Sequence, residues 1–209
     1  MVLDSRRAYA DPFLLPLAKR LRTVSPNHLS WLAFGLAVGA GIAFYLATPA
    51  SLLLAIPLVF GNALLDALDG KVAKITGRTS ARGDFLDHVL DRYADVIMLG
   101  GIALGAYGNV LVGLFAIVGV LLASYMGTQA QAVGLGRDYA GAMGRADRLL
   151  IVFVAAWLQL LADPRGAGWG TVGSLVLTPL TLALLLFAVL GQFTAIQRAA
   201  SAWRRLGAS

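Results

Sequence analysis

Six apolar stretches, each long enough to cross a bilayer as a helix, leave this 209-residue chain few ways to fold. The first runs from a Ser25-Pro26-Asn27 turn to about Ala47, and the second from about Ser51 to Ile75. The third spans about Asp84 to Ala106, the fourth Val110 to Val133, the fifth Arg145 to Ala162 and the sixth Thr171 to Ile196. Ahead of them, Arg6, Arg7, Lys19, Arg20 and Arg22 surround Pro12-Phe13-Leu14-Leu15-Pro16-Leu17, a patch too short to span. Residues 1–26 therefore read as an amphipathic helix lying in the interface. With 58% hydrophobic and 13% charged residues and a mean hydropathy of +0.76, an ordinary soluble domain is excluded. The expected fold is all-α: a polytopic membrane protein with six transmembrane helices plus an N-terminal interfacial helix, residues 1–209 forming one domain without internal repeats. No cleavable signal peptide is expected.

An even number of spans puts both termini on one side. Of 17 Lys and Arg residues, fifteen lie in the termini and in the 71–82 and 134–148 segments; Arg165 falls on the opposite side and Arg92 within the third span. The positive-inside rule then predicts a multi-pass cell-membrane protein with both termini facing the cytoplasm. The net charge of +6 points to anionic lipid or phosphate and not to nucleic acid, because the basic residues flank apolar spans without interleaved aromatics.

The acidic residues are distributed just as unevenly. All eleven are Asp, and six lie between Asp66 and Asp95. Asp66, Asp69, Gly70 and Ala73 fall on one helical face, and Asp84, Asp87, Asp91 and Asp95 on another, with Gly83 just before them. Apolar runs on both sides place these carboxylates at or below a membrane surface, where an unpaired charge costs at least ~2.5 kcal/mol. Carboxylates from two facing helices make an oxygen-rich cage suited to Mg²⁺ or Mn²⁺, and the chain has no cysteine to offer sulfur. Metals held in this way suit phosphate-bearing substrates. The small residues Gly70, Ala73 and Gly83 leave room for a nucleotide, and Lys71 and Lys74 offer charge for phosphate oxygens; Arg78 and Arg82 read as snorkelling cations. His28 and His88 read as interfacial or supporting residues, Tyr107, Trp169 and Trp203 as interface anchors, and Arg92 as the partner of a neighbouring aspartate.

The run Asp66-x-x-Asp69-Gly70-x-x-Ala73-Lys74, followed by Gly83-x-x-x-Asp87-x-x-x-Asp91, resembles the CDP-alcohol phosphatidyltransferase signature DxxDGxxAR…GxxxDxxxD. It departs at Lys74, where the family usually has Arg; the charge is kept and the bidentate fork is lost. The resemblance implies transfer of a phosphatidyl-type group from a CDP-linked lipid to an alcohol, with release of CMP. It implies that Asp66, Asp69 and Asp87 hold two Mg²⁺ ions, Mn²⁺ being possible, with Asp91 a further ligand or the catalytic base. The nucleotide would lie against Asp66, Asp69, Gly70, Ala73, Lys74, Gly83 and Asp87. A homodimer is also implied.

For the acceptor, Asp87-x-x-x-Asp91-Arg92-x-x-Asp95 is similar to the LDxxLDRxxD form of the inositol-phosphate-using branch. Gly144-Arg145-Ala146-Asp147-Arg148 resembles its ERxER segment, and Gln197-Arg198 its QR near the end of span six. These similarities imply a small phosphorylated alcohol, with Arg148 and Arg198 clamping its phosphate beside Asp95. Ser124-Tyr125 opens a segment that in this branch continues with basic residues; Met126-Gly127-Thr128-Gln129 follows here, leaving Arg137 or Arg145 as substitutes. Glycerol phosphate, serine or another alcohol is the alternative acceptor. A divalent-cation transporter is the alternative of another class, and it would need acidic groups near mid-membrane.

Overall fold

The computed structural model describes residues 7–136 and 141–207. Among these described residues seven helices follow in order: α1 (Arg7–Arg20), α2 (Pro26–Leu46), α3 (Pro49–Ile75), α4 (Ala81–Leu104), α5 (Val110–Ala132), α6 (Arg145–Ala162) and α7 (Pro179–Leu206). Their starts are written in short polar side chains that take up orphan N–H groups of the first turn. Thr48 accepts from Ser51 N at 3.0 Å, Ser80 from Gly83 N at 3.1 Å, Asn109 from Val112 N at 3.1 Å and Thr178 from Thr181 N at 3.0 Å. Pro26, Pro49 and Pro179 stand at first helical positions, where a missing N–H costs nothing.

Two expected boundaries change. Ser80 caps α4 so that it begins at Ala81, three residues before Asp84, and the polar linker shortens accordingly. The last helix begins at Pro179 and not at Thr171, and it runs past Ile196 to Leu206. Ahead of it Thr171–Val172 (β1) and Leu175–Val176 (β2) form an antiparallel hairpin, with Thr171 opposite Val176. Gly173 turns the hairpin at φ +61°, a conformation that disfavours any side chain. The all-α expectation holds, with one small hairpin in the loop before the last helix.

Among the described residues, α2, α3, α5 and α7 are long and apolar enough to cross a membrane. Helices α4 and α6 are more mixed, because they carry Asp84 to Asp95 and Arg145 to Arg148. Large outward-facing apolar side chains, among them Trp31, Phe60, Phe115 and Phe193, suit contact with lipid tails. The chain is a multi-pass membrane protein.

Helix α2 packs between α3 and α4, α5 lies along α7, and α6 closes against α3 and α7. The α2–α4 contact is made at backbone distance: a Cβ on Gly101 would stand 2.1 Å from Gly41 O. Small residues at such crossings let helices gain dispersion contact that lipid cannot replace. Phe44, Leu52, Met98, Ile102, Leu184 and Phe187 fill the core. A second buried cluster, Ala18, Leu29, Leu68 and Val72, seats α1 against α3, and Lys71 pairs with Asp11 across it.

At the end of the bundle away from the aspartates, polar side chains tie the loops together. Thr178 and Thr181 hydroxyls donate to Tyr107 O at 2.5 and 2.8 Å, and Tyr107 OH donates to Pro164 O at 3.1 Å. Gln159 Nε2 donates to Asp163 O at 2.6 Å, and Gly168 N to Asp163 Oδ2 at 3.1 Å. Tyr107 is therefore not the interface anchor expected; it is 2% exposed and buttresses the α4–α5 and α6–β1 loops. Burial, with the Asp163 carboxylate adding to it, holds the Tyr107 hydroxyl above its usual pKa. Trp169 and Trp203 do face outward.

Candidate active site

The last three turns of α3 and the first four of α4, both packed on α2, carry the aspartates. Carboxylate oxygens of Asp66, Asp69 and Asp87 lie within 4.8 Å of one another. Asp69 is 5% exposed, and its Oδ2 accepts from the Ser30 hydroxyl of α2 at 2.6 Å. Beside the carboxylates is a small cleft lined by Ser30, Asn62, Asp66, Asp87, Asp91 and Arg145. Asn62 is buried there; its Nδ2 donates to Ala33 O at 2.9 Å, while its Oδ1 has no partner among the described residues. Neither Ser30 nor Asn62 is singled out by the motif, because each reaches the site through folding and not through spacing.

Asp91, one turn further along α4, lies outside the trio. One of its oxygens accepts from Arg145 Nη1, and the other lies 3.3 Å from Arg92 Nη2. Arg145 Nη1 also donates to Asp66, so a single guanidinium nitrogen bridges the two helices that carry the motif. The sequence reading gave Arg145 to the acceptor; in the structure it sits among the aspartates.

Asp95 lies one turn deeper and is 4% exposed. It accepts from Arg148 Nη2 at 2.8 Å, and Arg92 Nη1 stands 3.7 Å away. Arg148 is 6% exposed, and its Nε has no acceptor among the described residues. Arg198 is buried on α7, where Nη1 donates to Ala123 O of α5 at 2.5 Å. Arg137 lies outside the described residues. Gly70 and Lys74 are exposed, Ala73 and Gly83 half-buried, all at the same end as the carboxylates. A Cβ on Gly70 would meet nothing within 4 Å, which leaves open space over the helix at that point. His88 stands 3.5 Å from Asp87 and 3.9 Å from Asp84 and outside the trio.

The donor set fits a divalent cation. Three hard carboxylate oxygens converge, one of them almost fully buried with a neutral hydroxyl beside it, and such a cluster needs positive charge. Among the described residues Arg145 pairs with Asp66 and Asp91, which leaves Asp69 and Asp87 without an arginine or lysine within ion-pair distance.

Comparisons with known proteins agree with this geometry. Residues 23–191 match the family profile of the CDP-alcohol phosphatidyltransferases. The archaetidylinositol phosphate synthase of Methanothermobacter thermautotrophicus is 30% identical over 205 residues, 98% of this chain and 96% of that protein. The phosphatidylinositol phosphate synthase of Streptomyces avermitilis is 34% identical over 92% of this chain and 78% of its own length. Among solved structures, Mycobacterium tuberculosis phosphatidylinositol phosphate synthase with CDP-DAG bound superposes with a TM-score of 0.73 at 25% identity, covering 91% of this chain and 93% of that one. The same enzyme in complex with manganese and citrate gives a TM-score of 0.74 at 25% identity, covering 91% and 88%. With the motif carboxylates converged and the match running through most of the bundle, this chain belongs to the CDP-alcohol phosphatidyltransferase family.

Proposed function

We propose that this chain transfers the phosphatidyl-type group of a CDP-linked lipid, CDP-diacylglycerol or CDP-archaeol, to a hydroxyl of an inositol phosphate, releasing CMP in phospholipid synthesis. The observation that carries the reading is the convergence of Asp66, Asp69 and Asp87 beside Gly70, Ala73 and Gly83 in a chain of this family. The names of its relatives favour inositol phosphate over glycerol phosphate or serine. The neighbouring enzyme seen with CDP-DAG, and with manganese, supports the lipid donor and a divalent metal.

Asp66, Asp69 and Asp87 would hold the metal, two Mg²⁺ ions in our reading, with Mn²⁺ a substitute and Asp91 a candidate further ligand. When bound there, the metal would neutralise pyrophosphate charge and ease departure of CMP. Gly70, Ala73, Gly83 and Lys74 receive the cytidine diphosphate, the small residues by leaving space and Lys74 by charge. The acceptor hydroxyl oxygen then bonds to the phosphorus of the lipid phosphate, the phosphoanhydride P–O bond breaks towards CMP, and the hydroxyl proton passes to Asp91. Two arginines aim the Asp91 carboxylate, and one of these contacts must lengthen as it takes the proton. Arg148 and Arg198 bind the acceptor's phosphate, with Asp95 holding Arg148 in place.

Six spans, one domain, a cytoplasmic site and cytoplasmic termini, supported by the distribution of Lys and Arg, complete the reading, and a homodimer is the assembly that the family resemblance favours. The test is incubation of the purified protein with CDP-diacylglycerol or CDP-archaeol, Mg²⁺ and a panel of inositol phosphate, glycerol phosphate, serine and free inositol. CMP release with inositol phosphate is expected. Release with another acceptor alone would overturn the acceptor, and release with none would overturn the reaction.

A further inference from the structure

Arg145 is the one basic side chain among the described residues that pairs with two aspartates of the motif, and it pairs with one from each helix. Its nitrogen donates to Asp66, which also belongs to the converging trio, and to Asp91, which does not. The guanidinium therefore stands on the edge between the trio and the last carboxylate of the motif. Its Nε is buried with no acceptor among the described residues, so this seat satisfies the group incompletely.

The charges allow only some occupancies. Asp66, Asp69, Asp87 and Asp91 carry four negative charges when ionised. One divalent ion on the trio together with Arg145 leaves a single negative charge, and Arg92 stands against it at Asp91. A second divalent ion brings the four carboxylates to neutrality by itself, and Arg145 in its present seat is then a surplus cation pressed against two metal ions. A carboxylate oxygen donated to Arg145 is also unavailable to a metal in the same direction. From these contacts, and resting on the metal reading proposed above, we infer that Arg145 is a built-in counter-cation that competes with the second divalent ion for the Asp66–Asp91 edge. Loading of that ion displaces the guanidinium from Asp91.

Exchange of this kind gives the site an order. The trio, with Asp69 and Asp87 unpaired with arginine among the described residues, fills first; the edge fills second and releases Arg145. The released side chain stays tethered at the first residue of α6, three residues before Arg148, on the side from which an acceptor phosphate would be held. An anionic acceptor that captures Arg145 would favour the second ion by the same linkage.

The test is Mn²⁺ titration of the detergent-solubilised protein, with free Mn²⁺ followed by electron paramagnetic resonance, for wild type and Arg145→Gln. Wild type is expected to show a tighter and a weaker site. In Arg145→Gln the weaker site is expected to tighten by about tenfold, the order that repulsion between a unit charge and a divalent ion ~5 Å apart gives even at the dielectric of water. The tighter site should change less. Unchanged or weakened binding at the second site would overturn the exchange, whereas absence of Mn²⁺ binding at either site in wild type would overturn the metal reading itself.

Because Arg145→Gln leaves Asp66 without its arginine and Asp91 with Arg92 alone, and the variant can fail to fold, a second measurement uses the wild type alone. Phenylglyoxal modification of Arg145, read by peptide mass spectrometry, should rise several-fold when Mn²⁺ replaces EDTA, because a displaced guanidinium is more available to the reagent. Modification that is unchanged or reduced by Mn²⁺ would equally overturn the proposal.

Discussion

Ser30→Ala removes one hydroxyl and leaves every aspartate of the motif in place. In the structure that hydroxyl has two possible acceptors, Asp69 Oδ2 at 2.6 Å and Pro26 O at 3.2 Å, and with a single proton it serves the shorter and charged one. Hydrogen bonds to charged groups are worth about 1.5–3 kcal/mol, and partners that orient a metal-binding carboxylate change metal affinity by about ten- to a hundredfold. The two estimates coincide, because about 1.4 kcal/mol is one decade in a binding constant. Ser30→Ala should therefore weaken Mn²⁺ binding at the tighter site by one to two decades, measured by titration of the solubilised protein with free Mn²⁺ read by paramagnetic resonance. Ser30→Thr, which keeps the hydroxyl, should bind close to wild type, and CMP release by Ser30→Ala should recover at saturating metal. Wild-type affinity in Ser30→Ala, or a loss in Ser30→Thr as large as in Ser30→Ala, would refute a positioning role for this hydroxyl.

Asp69→Asn should abolish CMP release while the protein still elutes as a folded species, and EDTA should abolish it reversibly; full activity in EDTA would sink the metal reading. A cysteine at Thr79, in the exposed α3–α4 turn, should react with a membrane-impermeant thiol reagent only after cells are opened. A cysteine at Gly170, where an added Cβ meets nothing within 4 Å, should react in intact cells, and the reverse pattern would invert the topology. Arg198→Ala should raise KM for inositol phosphate by roughly ten- to a hundredfold at ~1.5–3 kcal/mol for a charge-assisted contact, with little change for the CDP-lipid. Arg148→Ala should do the same and also lower thermal stability, because it strips the buried Asp95 of its closest cation; unchanged KM in both variants would remove the phosphate clamp.

Much of this is legible in the sequence, and the reasons differ by residue. Helix α6 begins at Arg145 and ends at Ala162 as the hydropathy predicts, because polar and apolar residues meet sharply there. Asp66, Asp69 and Asp87 are brought together by two local regularities, helical spacing and one short turn. The hairpin at Thr171–Val176 was not legible, since its apolar residues extend the hydropathy of α7, and only the surrounding glycines and Pro179 argue otherwise. The role of Tyr107 is not legible in the sequence, because a lone tyrosine at a span end resembles an interface anchor, whereas its carbonyl and hydroxyl hold Thr178 and Pro164. Arg145 reaches Asp66 across 79 residues of chain, and no spacing in the sequence announces such a contact.

One helix shows how the fold grades its charge. Along α4 the carboxylates Asp84, Asp87, Asp91 and Asp95 recur every three or four residues, and their side chains are 72, 35, 13 and 5% exposed in that order. Their partners change with depth. Asp84 is left to solvent and His88, Asp87 joins the trio suited to a metal, Asp91 meets Arg145, and Asp95 meets Arg148. On α6, Arg145 and Arg148 stand three residues apart, nearly matching the four-residue spacing of Asp91 and Asp95, so the two long side chains reach the two carboxylates in the same order. Deep carboxylates are expensive to leave uncompensated, so they take cations fixed to the fold. Shallow ones tolerate an exchangeable ion. The boundary between the two regimes falls at Asp91, the residue assigned to the proton, where a fixed guanidinium and an exchangeable metal compete for the same carboxylate.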